Sequence, residues 1–109
     1  MTVKELSEKL GLTAISGLGG ESREVKGCYI GDLLSLVMSR ASAGDAWITI
    51  QGNINVPAVA SLTDCAMVII AEDIKLEDVA AAKFENEDIP VYSSAKSAYE
   101  LAAEISKCL

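Results

Sequence analysis

The stretch Ala46-Trp47-Ile48-Thr49-Ile50, then Gln51-Gly52-Asn53-Ile54-Asn55, then Val56 to Leu62 and finally Ala66-Met67-Val68-Ile69-Ile70 decides the fold. Its first five residues are β-branched, aromatic and of strand length. Its last five are an uninterrupted apolar run, the pattern of a parallel strand covered on both faces. Between them Val56, Val59, Ala60 and Leu62 recur at helical spacing. Pro57 fits the first helical turn, where backbone amides have no intrahelical acceptor. Strand, loop, helix and strand make one βαβ unit, and its right-handed crossover sets the two strands parallel.

Towards the carboxyl terminus the grammar repeats. Leu76, Val79, Ala80 and Phe84 mark a helix ended by the acidic run Glu85 to Asp88 and by Pro90; Val91-Tyr92 is the last strand. Ser94 is expected to cap a final helix with the face Ala98, Leu101, Ala102, Ile105 and Leu109. Towards the amino terminus, Ser42 to Asp45 turn the chain back to a helix with the apolar face Leu33, Leu34, Val37, Met38 and Ala41. Asp32 is its expected N-cap, and Val25 to Ile30 is the strand before it. Leu12 to Ser16 reads as a short strand. Residues 3 to 10 read as a helix opened by Thr2 and Glu5 at capping-box spacing and ended by Gly11. Gly17-Leu18-Gly19-Gly20 lacks the Lys-Ser/Thr of a phosphate loop and reads as a turn. The expectation is one small α/β domain over residues 1–109, a mostly parallel sheet with flanking helices.

The 109 residues suffice for a single core. Half are hydrophobic and 23% charged, which excludes a disordered chain, and no apolar run approaches the roughly 18 residues of a membrane span. Nine basic against sixteen acidic residues give a net charge of −7 without a basic cluster, which argues against nucleic-acid binding. No basic and apolar leader opens the sequence, so a cytoplasmic location is expected. Cys28, Cys65 and Cys108 are odd in number, far apart and unaccompanied by histidine; three reduced, mostly buried thiols are expected, with no metal and no cofactor.

Open α/β sheets bind ligands outside the carboxyl ends of their strands. That places interest on Gln51, Gly52, Asn53 and Asn55, on Glu72 in Ala71-Glu72-Asp73, and on Ser93 in Ser93-Ser94. Gln51 and Asn53 offer amide groups, Gly52 allows close approach to the backbone, and the next helix start would favour an anion such as a phosphate or nucleotide. The simpler reading of the loop taken alone is that Asn53 or Asn55 caps that helix and Gly52 makes the turn. Glu72 and Asp73 suit hydrated Mg2+ or ribose hydroxyls, or are a solvated loop pair. The absence of histidine removes the commonest general base and any Ser-His or Cys-His nucleophile, so an enzyme is not expected; Lys96 should point to solvent rather than to Ser93 or Ser94.

The progression from Arg23-Glu24-Val25-Lys26-Gly27-Cys28-Tyr29-Ile30-Gly31-Asp32, through Gly44-Asp45 and Gln51-Gly52, to Ile89-Pro90-Val91 and Ser97-Ala98-Tyr99-Glu100-Leu101-Ala102 resembles the DRTGG domain over about residues 3 to 107. That resemblance implies a fold similar to the amino-terminal domains of HPr kinase/phosphorylase and of Mur ligases, and a regulatory role without kinase chemistry. Where the family has Gly-Asp-Arg and Thr-Gly-Gly turns, this chain has Gly52-Asn53-Ile54 and Ala71-Glu72-Asp73. The exchange removes an arginine and adds negative charge, which weakens any anion site. Related domains tend to associate, so a homodimer is expected. The resulting expectation is a non-catalytic domain sensing a nucleotide or another small anionic metabolite at the carboxyl edge. Its alternative is a ligand-free interaction module that docks on a redox enzyme or signalling kinase through a face near Tyr29, Gly31 and Asp32.

Overall fold

The computed structural model describes Met1 to Leu109. The elements in chain order are α1 (Val3–Leu10), β1 (Thr13–Ser16), a 3-10 turn (Leu18–Gly20), β2 (Gly27–Ile30), α2 (Leu34–Arg40), β3 (Asp45–Thr49), α3 (Asn55–Thr63), β4 (Met67–Ile70), α4 (Asp78–Asn86), β5 (Val91–Ser93) and α5 (Ala98–Ser106). The βαβ unit of the sequence is β3-α3-β4, with Ala46 beside Met67 and Thr49 beside Ile70.

One sheet holds all five strands in the order β1-β5-β4-β3-β2, with β2 to β5 parallel and β1 antiparallel to β5. The crossovers from β2 to β5 therefore all step the same way. Right-handed crossovers stepping one way place their helices on one face. Accordingly Val37, Val56, Val59, Ala60, Ala80 and Phe84 of α2, α3 and α4 pack with Trp47, Val68, Ile70 and Val91. On the other face α1 and α5 bring Val3, Leu6, Leu10, Leu101 and Ile105 against Ala46, Ile48, Met67, Ile69 and Tyr92. Alternate residues of β3 and β4 thus serve opposite layers, which is why both strands read as unbroken apolar runs. Each fully buried Leu, Ile, Val or Phe contributes roughly 1.5–3 kcal/mol of burial free energy. No helix is long and apolar enough to cross a membrane.

Several local expectations hold and others shift. Thr2 and Glu5 form the capping box of α1, and Gly11 closes it in a left-handed conformation. The cap of α5 is Ser97 rather than Ser94, because Ser97 has Glu100 three residues on and completes a capping box. Ser94 instead accepts from the Lys96 amide. Asp32 does not cap α2. Its Oδ1 accepts from Thr49 Oγ1 and from the Ile50 amide, both at 2.8 Å, because the end of β2 lies beside the end of β3. Leu33 occupies the N-cap position, with no side-chain hydrogen bond.

Three helical faces are narrower than their apolar spacing implies. In α2 only Val37 is buried, while Leu33 is 62% and Met38 48% exposed; Leu62 of α3 and Val79 of α4 also face outward. A seven-residue helix over an edge strand meets the sheet along a single stripe, so Leu34 and Ala41 are only partly covered and Leu33, Leu36 and Met38 stay exposed.

The two sheet edges differ. β1 carries a register break between Ala14 and Ser16, and α4 closes over it: Ser16 Oγ donates to the Ala81 carbonyl and Glu85 accepts from the Gly17 amide. From Lys26 to Asp32, the stretch containing β2, β3 is the only neighbouring strand.

Candidate functional site

The carboxyl edge is built from loops that satisfy one another. Gln51 Nε2 donates to the Asp32 carbonyl, Asn53 Nδ2 donates to Gln51 Oε1, and Asn53 Oδ1 accepts from the Asn55 amide. Asn53 therefore does cap-like work at the start of α3. Gly52 does allow a close approach, but the group that approaches is the chain itself. A Cβ at Gly52 would collide with the Lys75 carbonyl, and the Gly52 carbonyl accepts from the Glu77 amide.

Glu72 and Asp73 both adopt left-handed conformations, φ 60° and 56°, in a tight turn closed by the Ile74 amide on the Ala71 carbonyl. α4 and α5 leave the sheet to opposite faces, so the crevice expected where crossovers change side falls between β4 and β5. Backbone bonds fill it: Glu72 N–H donates to Lys96 O, Asp73 N–H to Ser94 O and Ser94 N–H to Ile70 O. Lys96 pairs with Glu104 through both carboxylate oxygens at 2.9 Å, rather than reaching Ser93 or Ser94.

Ser93 faces a cavity of about 350 Å³ shared with Ile15, Asp73, Lys75 and Asp78. Gln51, Gly52, Asn53, Asn55 and Glu72 line none of the four cavities of the chain. The structure thus brings Gln51, Asn53 and Asn55 into one cluster and ties Glu72 to the β5–α5 loop. No hydrogen bond or cavity joins those two groups. Along this edge Asp32, Glu72, Asp73, Glu77 and Asp78 outnumber Lys75 and the Glu104-paired Lys96, which disfavours an anion.

A different surface stands open around β2. Cys28 and Ile30 are exposed on the side facing α5, where an apolar groove of about 440 Å³ runs between β2 and Ala102, Ile105 and Leu109. Tyr29 turns to the other layer and packs, half-buried, against the core under α2. Ile30 on the α5 side is 47% exposed, and after the strand Leu33, Leu36 and Met38, at and along α2 on the opposite layer, are 62%, 38% and 48% exposed. Gly31 and Asp32 serve chiefly inside the chain. The Gly31 carbonyl accepts from Trp47 Nε1 and its amide donates to Ile48 O, while Asp32 Oδ1 holds the end of β3.

Of these, Tyr29 is expected at an interaction face, whereas the apolar spacing assigns Leu33 and Met38 to the core and marks neither Ile30 nor Leu36 as a contact residue. One signal was available. Leu33 directly follows Asp32 where a helix starts, a position that favours Ser, Thr, Asp or Asn.

The cysteines divide by environment. Cys65 is buried against Thr63, Cys108 is half-buried, and Cys28 is exposed, against the expectation of mostly buried thiols. Loss of hydration, with a further contribution from the Asp45 carboxylate, pushes the Cys28 thiol up to about 11. Burial also raises Cys65. The Tyr92 hydroxyl is buried without a hydrogen-bond partner and borders none of the cavities.

No protein-family model matches the chain, and a search of curated proteins finds no match.

Proposed function

We propose that this chain is a non-catalytic docking domain whose contact surface is the β2 edge with the exposed apolar side chains that border it, Ile30 on one layer and Leu33 at the start of α2 on the other. The observation that carries this reading is Leu33: a large apolar side chain, 62% exposed, at a helix N-cap where it makes no side-chain hydrogen bond. Such a choice forgoes about 1 kcal/mol of helix capping and leaves apolar area in water. Local rules broken on a surface are expected where a partner sits.

The bare edge agrees with this reading. β2 carries no proline or charge between Gly27 and Ile30, although it is only four residues long and is flanked by the exposed Lys26 and Asp32. The sensing of a nucleotide or small anion at the carboxyl edge has less to stand on, because the polar groups there are engaged with one another and the flanking side chains are acidic. The resemblance to the DRTGG domain belongs to the same proposal; it implies a regulatory module and is compatible with docking rather than chemistry.

A photo-crosslinking amino acid introduced at Ile30 or Leu33 in cells tests the surface. Discrete adducts are expected from these two positions and none from Val79, an equally exposed site on α4. Equal background at all three positions would remove the docking role.

A further inference from the structure

We propose that the cavity between β1, β5 and the β4–α4 loop binds a free α-amino acid with an aliphatic side chain. It lies at the opposite end of the sheet from β2, so it goes beyond the docking reading and does not rest on it. Its volume of about 350 Å³ falls within the range of small-molecule pockets, about 300–1,000 Å³.

Unspent polar side chains set this cavity apart. Asp73, Lys75, Asp78 and Ser93 all line it, and none of these side chains makes a hydrogen bond or ion pair within the chain. Gln51 and Asn53, on the same edge of the sheet, are by contrast committed to each other and to the backbone. Two carboxylates and an ammonium that share a cavity without pairing offer both signs of charge to one guest. A simple anion meets the two aspartates, and a simple cation meets the lysine. A zwitterion suits both, with its ammonium towards Asp73 and Asp78 and its carboxylate towards Lys75 and the Ser93 hydroxyl. The rest of the wall selects the side chain. Ile15 and Ile74 are 37% and 41% exposed beside these charges, apolar area that an aliphatic group would cover.

The backbone that carries these groups is pinned. The Asp73 amide donates to Ser94 O and the Glu77 amide to Gly52 O, so the loop is held at both ends. Val91 packs in the layer of α2 to α4, and Ser93, two residues on, faces the same side. Groups held in place lose little binding energy to ordering. The backbone bonds that close the crevice between β4 and β5 thus support a site beside it, at the carboxyl end of β5.

Proton–nitrogen correlation NMR of the full chain, titrated with L-alanine, L-valine, L-leucine and L-isoleucine, tests the proposal. At least one is expected to give saturable shifts, in the millimolar range, confined to Ile15, Asp73 to Leu76 and Ser93. Replacing the best binder by its deaminated acid or by its decarboxylated amine should weaken binding at least about tenfold, since each lacks one charge. Lys75→Met and Asp73→Asn should each do the same, while Glu87→Gln, at an exposed acid outside the cavity, leaves the affinity unchanged. The dispersion of the same spectra confirms that each variant is folded.

Absence of saturable shifts for every member of the series overturns the proposal. So do shifts that fall elsewhere on the chain, an affinity matched by the acid or the amine alone, or one that Lys75→Met and Asp73→Asn both leave unaltered.

Discussion

Cys28 lies on an exposed strand, yet its thiol holds its proton up to about 11 because its surroundings and Asp45 disfavour the thiolate. Since the thiolate is the nucleophile, exposure alone does not make this cysteine reactive. In a Cys108→Ser variant, alkylation of Cys28 at pH 7.5 is expected to run about tenfold below that of an ordinary thiol, the smaller thiolate fraction being partly offset by the greater nucleophilicity of a more basic thiolate, and to climb with pH towards about 11. A rate equal to that of the urea-unfolded chain would contradict this. Stability follows the same titration. The unfolded thiol loses its proton near the ordinary cysteine value while the folded one keeps it, so the contribution is full below that value and is lost as pH rises towards 11; Cys65, also raised, acts with the same sign. At this scale the sequence was legible where partners are local. Thr2 with Glu5 announced a cap three residues away, whereas the partners of Asp32 lie on a strand 17 and 18 residues on, which no spacing rule reveals.

The helices show how far apolar periodicity reaches. For α1 it was sufficient: eight residues on one covered face bury Val3, Leu6 and Leu10 as spaced. For α2 it was not, because five apolar positions over so short a helix exceed the stripe that an edge position can bury. The surplus is the surface proposed for docking. Leu33→Asp separates the two demands on that position. It places a good N-cap with a favourable charge at the positive end of α2, so the folded chain should gain up to about 1 kcal/mol, read as a higher urea midpoint. The same change should weaken docking at the β2 edge, read as a lower yield of photo-adducts from Ile30. A loss of stability would show that Leu33 serves packing within the chain instead.

At the scale of the molecule, hydrophobic pattern foretold parallel strands with helices on both faces, but not their order. Order depends on which way each crossover steps, and that is decided by contacts between layers rather than within segments. With β2 to β5 stepping one way, the only change of face among the parallel units falls between β4 and β5, where backbone bonds occupy the crevice. Adenine, guanine and uridine nucleotides, with or without Mg2+, are therefore expected to leave the melting temperature unchanged. A ligand at about 100 times its Kd would contribute roughly 2.7 kcal/mol, so a rise of several degrees for one class would restore the carboxyl edge as a sensor.

The winding of the sheet also bears on how the chain reaches its native state. Each of β2, β3, β4 and β5 pairs with its neighbour in sequence, so these contacts close short loops, while Thr13 of β1 meets Ser93 about 80 residues along the chain. Short loops close at lower entropic cost and sooner. The folding nucleus is expected around β3 and β4, with α1 and β1 docking last. By the same logic these first sixteen residues should be the earliest to exchange their amide hydrogens and the first to admit a protease, well before the central strands loosen.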